Sequence, residues 1–212
     1  MAAPIWSVNR MDRKILWVGF TSLAIVITAA LLAVLFTKTA RFRGTAYNEP
    51  YPLAPTFELT RSSGEVFRLG NQRGRIVLLF FGYTFCPDVC PATLAELNMA
   101  LNEIKDKADL VQVVFVSVDP DRDTPQIAQD YVDRFNPSFI GLSGSIDDLE
   151  MIWKDYDIYR EVVKSNSDVV TVSHTARVLL IDKEGNMRLS YAFGTPVEDI
   201  VFDLKLLLEA SK

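Results

Sequence analysis

Cys86 and Cys90, the only two cysteines of the chain, stand in FFGYTFCPDVCPATLAEL, from Phe80 to Leu97, with three residues between them. A thiolate attacks disulfides and also binds soft metal ions, so the pair admits three chemistries. A structural disulfide would close a short loop and add little, because loop-closure stabilisation grows with loop length. An exchange dithiol normally uses C-x-x-C, one residue tighter. The third reading is part of a metal site. His174, the single histidine among 212 residues, lies in VTVSHTARVLLID and offers an imidazole. Two thiolates with an imidazole suit copper or zinc. Structural zinc wants four protein ligands. Three ligands leave an open site or suit three-coordinate Cu(I), and an open site lets an incoming ligand take the metal away. Met1, Met11, Met99, Met151 and Met187 are scattered and form no Met-rich copper motif.

These side chains need a frame. RIVLLFFGYT (Arg75 to Thr84) and LVQVVFVSVD are continuous apolar runs, as expected for strands covered on both faces. A helix is predicted from near Pro91, with Leu94, Leu97, Leu101 and Ile104 on one face. The cysteines thus follow a buried strand and open a helix, where free amides and the helix dipole favour thiolate. Open α/β sheets place their sites outside the carboxyl ends of strands. Around this lie a hairpin of PTFELT and EVFRL, a helix from Thr124-Pro125 and a short strand in PSFIGLSG. A helix capped by Ser145 follows. TARVLLID and NMRLSYA read as two strands joined by a turn at Lys183-Glu184-Gly185. Thr195-Pro196-x-Glu198 reads as a capping box with proline at the first helical position. Alternating strands and helices predict an α/β fold with a mainly parallel central sheet flanked by helices. The closing hairpin and helix match the second half of a thioredoxin-like layout, in which the central sheet is mixed and flanked by helices. That layout puts His174 at the start of a strand facing the cysteine loop. No proline stands between Pro137 and Pro196, so the cis-proline that exchange enzymes set opposite their dithiol is absent.

The N-terminus is of a different kind. Residues Ile15 to Phe36 run 22 positions without a charge, enough for a bilayer-spanning helix. The run exceeds a signal-peptide core, and Lys38, Arg41 and Arg43 follow it, which favours an uncleaved anchor. The predicted order is a cytoplasmic segment over 1–14, an anchor helix over 15–36, a proline-bearing tether over 37–54, and a folded domain over 55–212. Three basic residues flank the span on each side, so the positive-inside rule leaves orientation open. The 46 residues before Tyr47 hold six of the 22 basic side chains and one of the 27 acidic ones. The remainder carries a net charge of −10, which excludes a nucleic-acid-binding face.

The pieces FCPDVCP (Phe85 to Pro91) and SVDPDRDTP (Ser117 to Pro125), the lone His174 before the final hairpin and the N-terminal anchor together resemble the Sco (also called SenC) family of membrane-anchored copper proteins. The resemblance covers Tyr47 to about Glu209. It implies a thioredoxin-like domain facing the periplasm or the mitochondrial intermembrane space, with copper held by Cys86, Cys90 and His174. The implied role is assembly of the binuclear copper centre in cytochrome c oxidase subunit II. In some members it is reduction of that subunit's cysteines, which would make the chain a tethered thiol–disulfide oxidoreductase. Only 14 residues precede the span, with no Arg- and Ser-rich presequence, which favours a bacterial over a mitochondrial inner membrane; a periplasmic copper donor protein is then an expected partner. Transfer of copper by ligand exchange is chaperoning without enzymatic turnover, and a Cys86–Cys90 disulfide would switch it off. A peroxiredoxin-like peroxidase is the third class. The family often has aspartate before the histidine, and here Ser173 stands there, a weaker neutral partner that puts affinity and oxidation-state preference in question. Asp88, inside the cysteine loop, reads either as a loop cap or as a neighbour of the metal. Asp119, Arg122 and Asp123 read either as an ion-paired turn or as a border of the site.

Overall fold

The computed structural model describes residues 17–29, 41–164 and 170–210, in two compact units, Met1–Arg41 and Phe42–Lys212. In the first, residues 17–29 are helical and display Trp17, Phe20, Leu23 and Ile25 to the surroundings. Among the described residues no helix is long and apolar enough to cross a membrane. The span predicted over 15–36 extends past the described residues at both ends, and the segment 1–14 lies outside them.

The second unit is built on a six-stranded mixed sheet. Its central strands are β4 (Ile76–Gly82) and β5 (Val111–Ser117), every residue of which is buried. Both are rich in β-branched and aromatic residues, which suit a pleated surface covered on two sides. Each fully buried Leu, Val or Phe contributes about 1.5–3 kcal/mol, so these two strands are the energetic centre of the domain. β4 pairs in parallel with β5, and β5 with β6 (Ile140–Leu142). On the other side β4 pairs antiparallel with β9 (Arg177–Ile181), and β9 with β10 (Met187–Ala192). β1 (Thr45–Ala46) closes that edge against β10, within the stretch predicted as tether. Three of the five strand pairings are antiparallel, so the sheet is mixed, as the thioredoxin-like layout predicts, and less parallel than the alternation of strands and helices alone suggests. The closing hairpin accounts for two of these antiparallel pairings and β1 for the third.

Helix α1 (Val89–Ile104) packs against α4 (Val197–Ala210), while α2 (Pro125–Asp133) packs on β5 and β6. The fit of α2 is close: a Cβ on Gly141 of β6 would meet the Ala128 carbonyl and the Gln129 amide. Thr124 caps α2 by accepting from the Ile127 N–H, and Ser145 caps α3 (Ile146–Asp155) by accepting from the Asp148 N–H. β2 (Glu58–Thr60) and β3 (Val66–Arg68) form the predicted hairpin.

Three local readings change. Helix α1 begins two residues before Pro91, which is tolerated because the first N–H groups of a helix have no intrahelical partner. The capping box at Thr195 does not form. The Thr195 hydroxyl donates instead to the Ala192 carbonyl, closing a turn with Gly194 at φ +81°. A further hairpin, β7 (Arg160–Lys164) with β8 (Val170–His174), makes a separate two-stranded sheet that the sequence pattern does not announce.

Candidate metal centre

The cysteine loop runs from the end of β4 into the first turn of α1. The Cys86 N–H donates to the Tyr83 carbonyl at 3.2 Å, and the Cys90 N–H points at Cys86 Sγ at 3.4 Å. Both thiols are free. Cys90 is fully buried and Cys86 half-buried. Glycine at 82 makes room for the inner sulfur, since a Cβ there would stand 3.0 Å from Cys90 Sγ and 2.8 Å from the Phe115 ring.

The two thiols are electrostatically unlike. A hydrogen bond from the Cys90 thiol, helped by the Cys90 and Asp88 amides and the charge of His174, brings Cys86 down to about 5 against the opposing effect of burial. Cys90 is driven up, first by donating that hydrogen bond and then by burial. At neutral pH the pair carries one thiolate, on Cys86, and one thiol, on Cys90.

His174 ends β8, opposite Arg160 in the register, and is not at the start of a strand facing the loop as the layout predicts. Its ring stands edge-on to Tyr83, with centroids 5.7 Å apart at 83°. Nδ1 lies 3.3 Å from the Val172 carbonyl, while Nε2 is buried and has no hydrogen-bond partner. Of the three candidate ligands, then, the fold brings Cys86 and Cys90 together and sets His174 against the residue that leads into their loop. Among the described residues no three His, Cys, Asp or Glu side chains are grouped closely enough to hold a metal ion.

The remaining candidates separate clearly. Asp88 is exposed and precedes α1 without a side-chain capping bond; its carbonyl accepts from the Ala92 N–H, and its own N–H helps to favour the Cys86 thiolate. Ser173 is exposed between Val172 and His174, and strand alternation directs it to the opposite face of the hairpin from the imidazole. Asp119 is buried and paired with Arg122, Nε to Oδ2 at 2.5 Å, so the ion-paired turn is present. Asp123 lies beneath the loop. It accepts from the Thr84 N–H at 3.1 Å, the Thr84 hydroxyl at 2.5 Å and the Ser117 hydroxyl at 2.7 Å. Burial raises its carboxyl, and these donors pull the other way. Tyr83 and Thr84 were not candidates by residue type; their place at the carboxyl end of a buried strand, just before the first cysteine, is the only signal that marks them.

The SCO1/SenC family profile matches residues 45–209. The mitochondrial SCO2 protein of Saccharomyces cerevisiae is 38% identical over 137 residues, which are 63% of this chain and 45% of that protein, so this chain spans less than half of that relative's length. The structure of Bradyrhizobium japonicum ScoI with copper bound is similar at a TM-score of 0.67 and 34% identity, over 73% of this chain and 99% of that one. The solution structure of apo Sco1 from Thermus thermophilus is similar at a TM-score of 0.71 and 37% identity, over 80% and 99%.

Proposed function

This chain belongs to the SCO1/SenC family, and from that premise we propose that it is a membrane-anchored copper chaperone. Its cargo is a copper ion held by Cys86, Cys90 and His174 and delivered to the binuclear copper site of cytochrome c oxidase subunit II. Its folded domain faces the periplasm from a bacterial inner membrane and takes copper from a periplasmic donor. The observation that carries this reading is the buried, unpartnered Nε2 of His174 on the surface that meets the cysteine loop. A buried ring nitrogen without a partner is costly unless something fills it.

The residues divide the work. Cys86 is already a thiolate and makes the first bond to an incoming soft ion. Cys90 must release its proton to become the second ligand, so uptake of the cargo is coupled to proton loss. With the Nδ1 proton assigned to the Val172 carbonyl, Nε2 presents its lone pair. A three-ligand site is open on one side, which is where an acceptor's ligand enters to take the ion.

The test is competition of the reduced protein with a Cu(I) chelator. About one copper per chain is expected, with affinity falling at least about tenfold, or 1.4 kcal/mol, in His174→Ala. Unchanged affinity in that variant rules out the three-ligand site. The low thiolate on Cys86 backed by a buried Cys90 thiol also suits a second reading, a tethered thiol–disulfide oxidoreductase that keeps the copper-ligand cysteines of subunit II reduced. In that case His174→Ala leaves exchange with a partner disulfide intact. A C-terminal reporter active only in the cytoplasm would overturn the orientation.

A further inference from the structure

The hairpin that carries His174 is not part of the main sheet: among the described residues β7 pairs only with β8. Side chains must therefore hold it in place, and two arginines do so. Arg160, opposite His174 in the register, donates from Nε to the Val118 carbonyl at 2.6 Å and lies over the Trp153 ring at 5.0 Å. Arg122, from the turn after β5, donates from Nη1 to the Val170 carbonyl at 3.0 Å, at the start of β8.

Arg122 does more than tether the hairpin. Its Nε is paired with buried Asp119, which fixes the guanidinium from behind. Its face lies 4.8 Å from the Phe85 ring centroid and 5.7 Å from that of Tyr83. Phe85 immediately precedes Cys86, and Tyr83 is the ring against which His174 stands. One planar cation thus touches the cysteine loop through two aromatic faces and the histidine hairpin through a carbonyl. Only a guanidinium combines a fork of donors with a stacking face; an ammonium is a single point charge.

We infer that Arg122 is a positioning residue for copper capture, a clasp that sets the distance between the His174 hairpin and the Cys86–Cys90 loop. It touches neither the cargo nor a ligand atom. Its effect is to hold the histidine hairpin against the segment that leads into the cysteine loop, so that less ordering remains when the ion arrives. The inference deepens the proposed function and rests on it where copper is concerned.

The experiment has a copper-free arm and a copper arm, both on the full-length chain in detergent. Because His174 is the single histidine, histidine-selective 15N labelling, with a purification tag free of histidine, reports on it alone. In the copper-free arm, Arg122→Gln is expected to shift and broaden the His174 ring resonances relative to the parent chain. Ring resonances that do not move overturn the clasp, whether or not the protein takes up copper. In the copper arm, Arg122→Gln is expected to lower Cu(I) affinity roughly tenfold with His174 present and less than about twofold in the His174→Ala background. Equal losses in both backgrounds mean that Arg122 is structural only and overturn the inference. A parent chain that takes up no copper defeats the proposed function and leaves the ring resonances to decide the clasp. Arg122→Lys keeps a cation beside Asp119 and replaces Arg122→Gln if the latter does not fold; it is expected to give the same ring shifts, because it cannot hold Val170 and both aromatic faces together.

Discussion

Cys90 directs its backbone N–H at the sulfur of Cys86, 3.4 Å away, and its thiol proton toward the same atom. Two cysteines of one loop thereby become different reagents. Cys86 is an accessible thiolate, and Cys90 is a buried thiol whose proton leaves only when something replaces it. Reactivity should follow that division. Iodoacetamide is expected to modify Cys86 with a midpoint near pH 5 and to leave Cys90 untouched until the protein unfolds, as read by peptide mass spectrometry. Equal labelling of both cysteines at pH 7 would contradict the assignment.

The same asymmetry predicts a pH dependence of stability. The folded-state value of Cys86 lies below its ordinary 9.0, so between about 5 and 9 the unfolded chain holds a proton that the folded chain has released. Stability from this group is therefore full above pH 9 and lost as the pH falls toward 5. Cys90, shifted upward, acts in the opposite sense: its contribution is present below pH 9 and declines above it. Urea midpoints of the reduced protein should rise between pH 5.5 and 8 relative to Cys86→Ser. Parallel curves for the two proteins would refute the depressed thiol.

Oxidation should act as an off switch. A disulfide between Cys86 and Cys90 ties up both sulfurs, so the oxidised protein is expected to bind no copper and to recover binding after reduction. Copper retained at the same stoichiometry by fully oxidised protein would show that the cysteines are not ligands.

Asp123 gathers three donors from two segments under the cysteine loop. In Asp123→Ala those donors lose their buried acceptor, and stability should fall by at least about 2 kcal/mol. Asp123→Asn keeps one acceptor oxygen and should lose less. Chemical denaturation measures both, and an unperturbed Asp123→Ala would mean that water replaces the carboxylate without cost.

Gly141 tests the packing of α2 on β6. Its missing Cβ is the space occupied by the Ala128 carbonyl, so Gly141→Ala should cost about 1–3 kcal/mol through overpacking. Gly70→Ala is the matched control. Its Cβ would meet only Thr56 Cγ2, at 3.8 Å, and its effect should stay within about 0.5 kcal/mol. Similar losses at both positions would remove the packing explanation.

Much of the frame was legible because burial leaves a mark on a short stretch of chain. The unbroken run IVLLFFG is what a strand covered on both faces requires, and it locates the end from which the cysteine loop departs. Thr124 and Ser145 announced their helices because a cap is a local hydrogen bond within four residues. Thr195 misled for the same reason in reverse: its hydroxyl had a nearer acceptor in the turn at Ala192. REVVK and VTVSH left too short and too mixed a pattern to be read as a hairpin, and so the address of His174 was wrong by an element.

The sequence by itself determined the inventory of chemistry: two cysteines at the head of a helix, one histidine, a charged turn after a buried strand, and a family likeness spread over all of them. Which of these groups touch was decided only by the tertiary structure. Cys86 and Cys90 are neighbours along the chain, and their coupling follows from local geometry. The pairing of Tyr83 with His174, and the reach of Arg122 from Phe85 to Val170, join segments separated by dozens of residues. Such contacts depend on how a separate hairpin settles on the sheet, a balance of packing that no stretch of sequence carries alone.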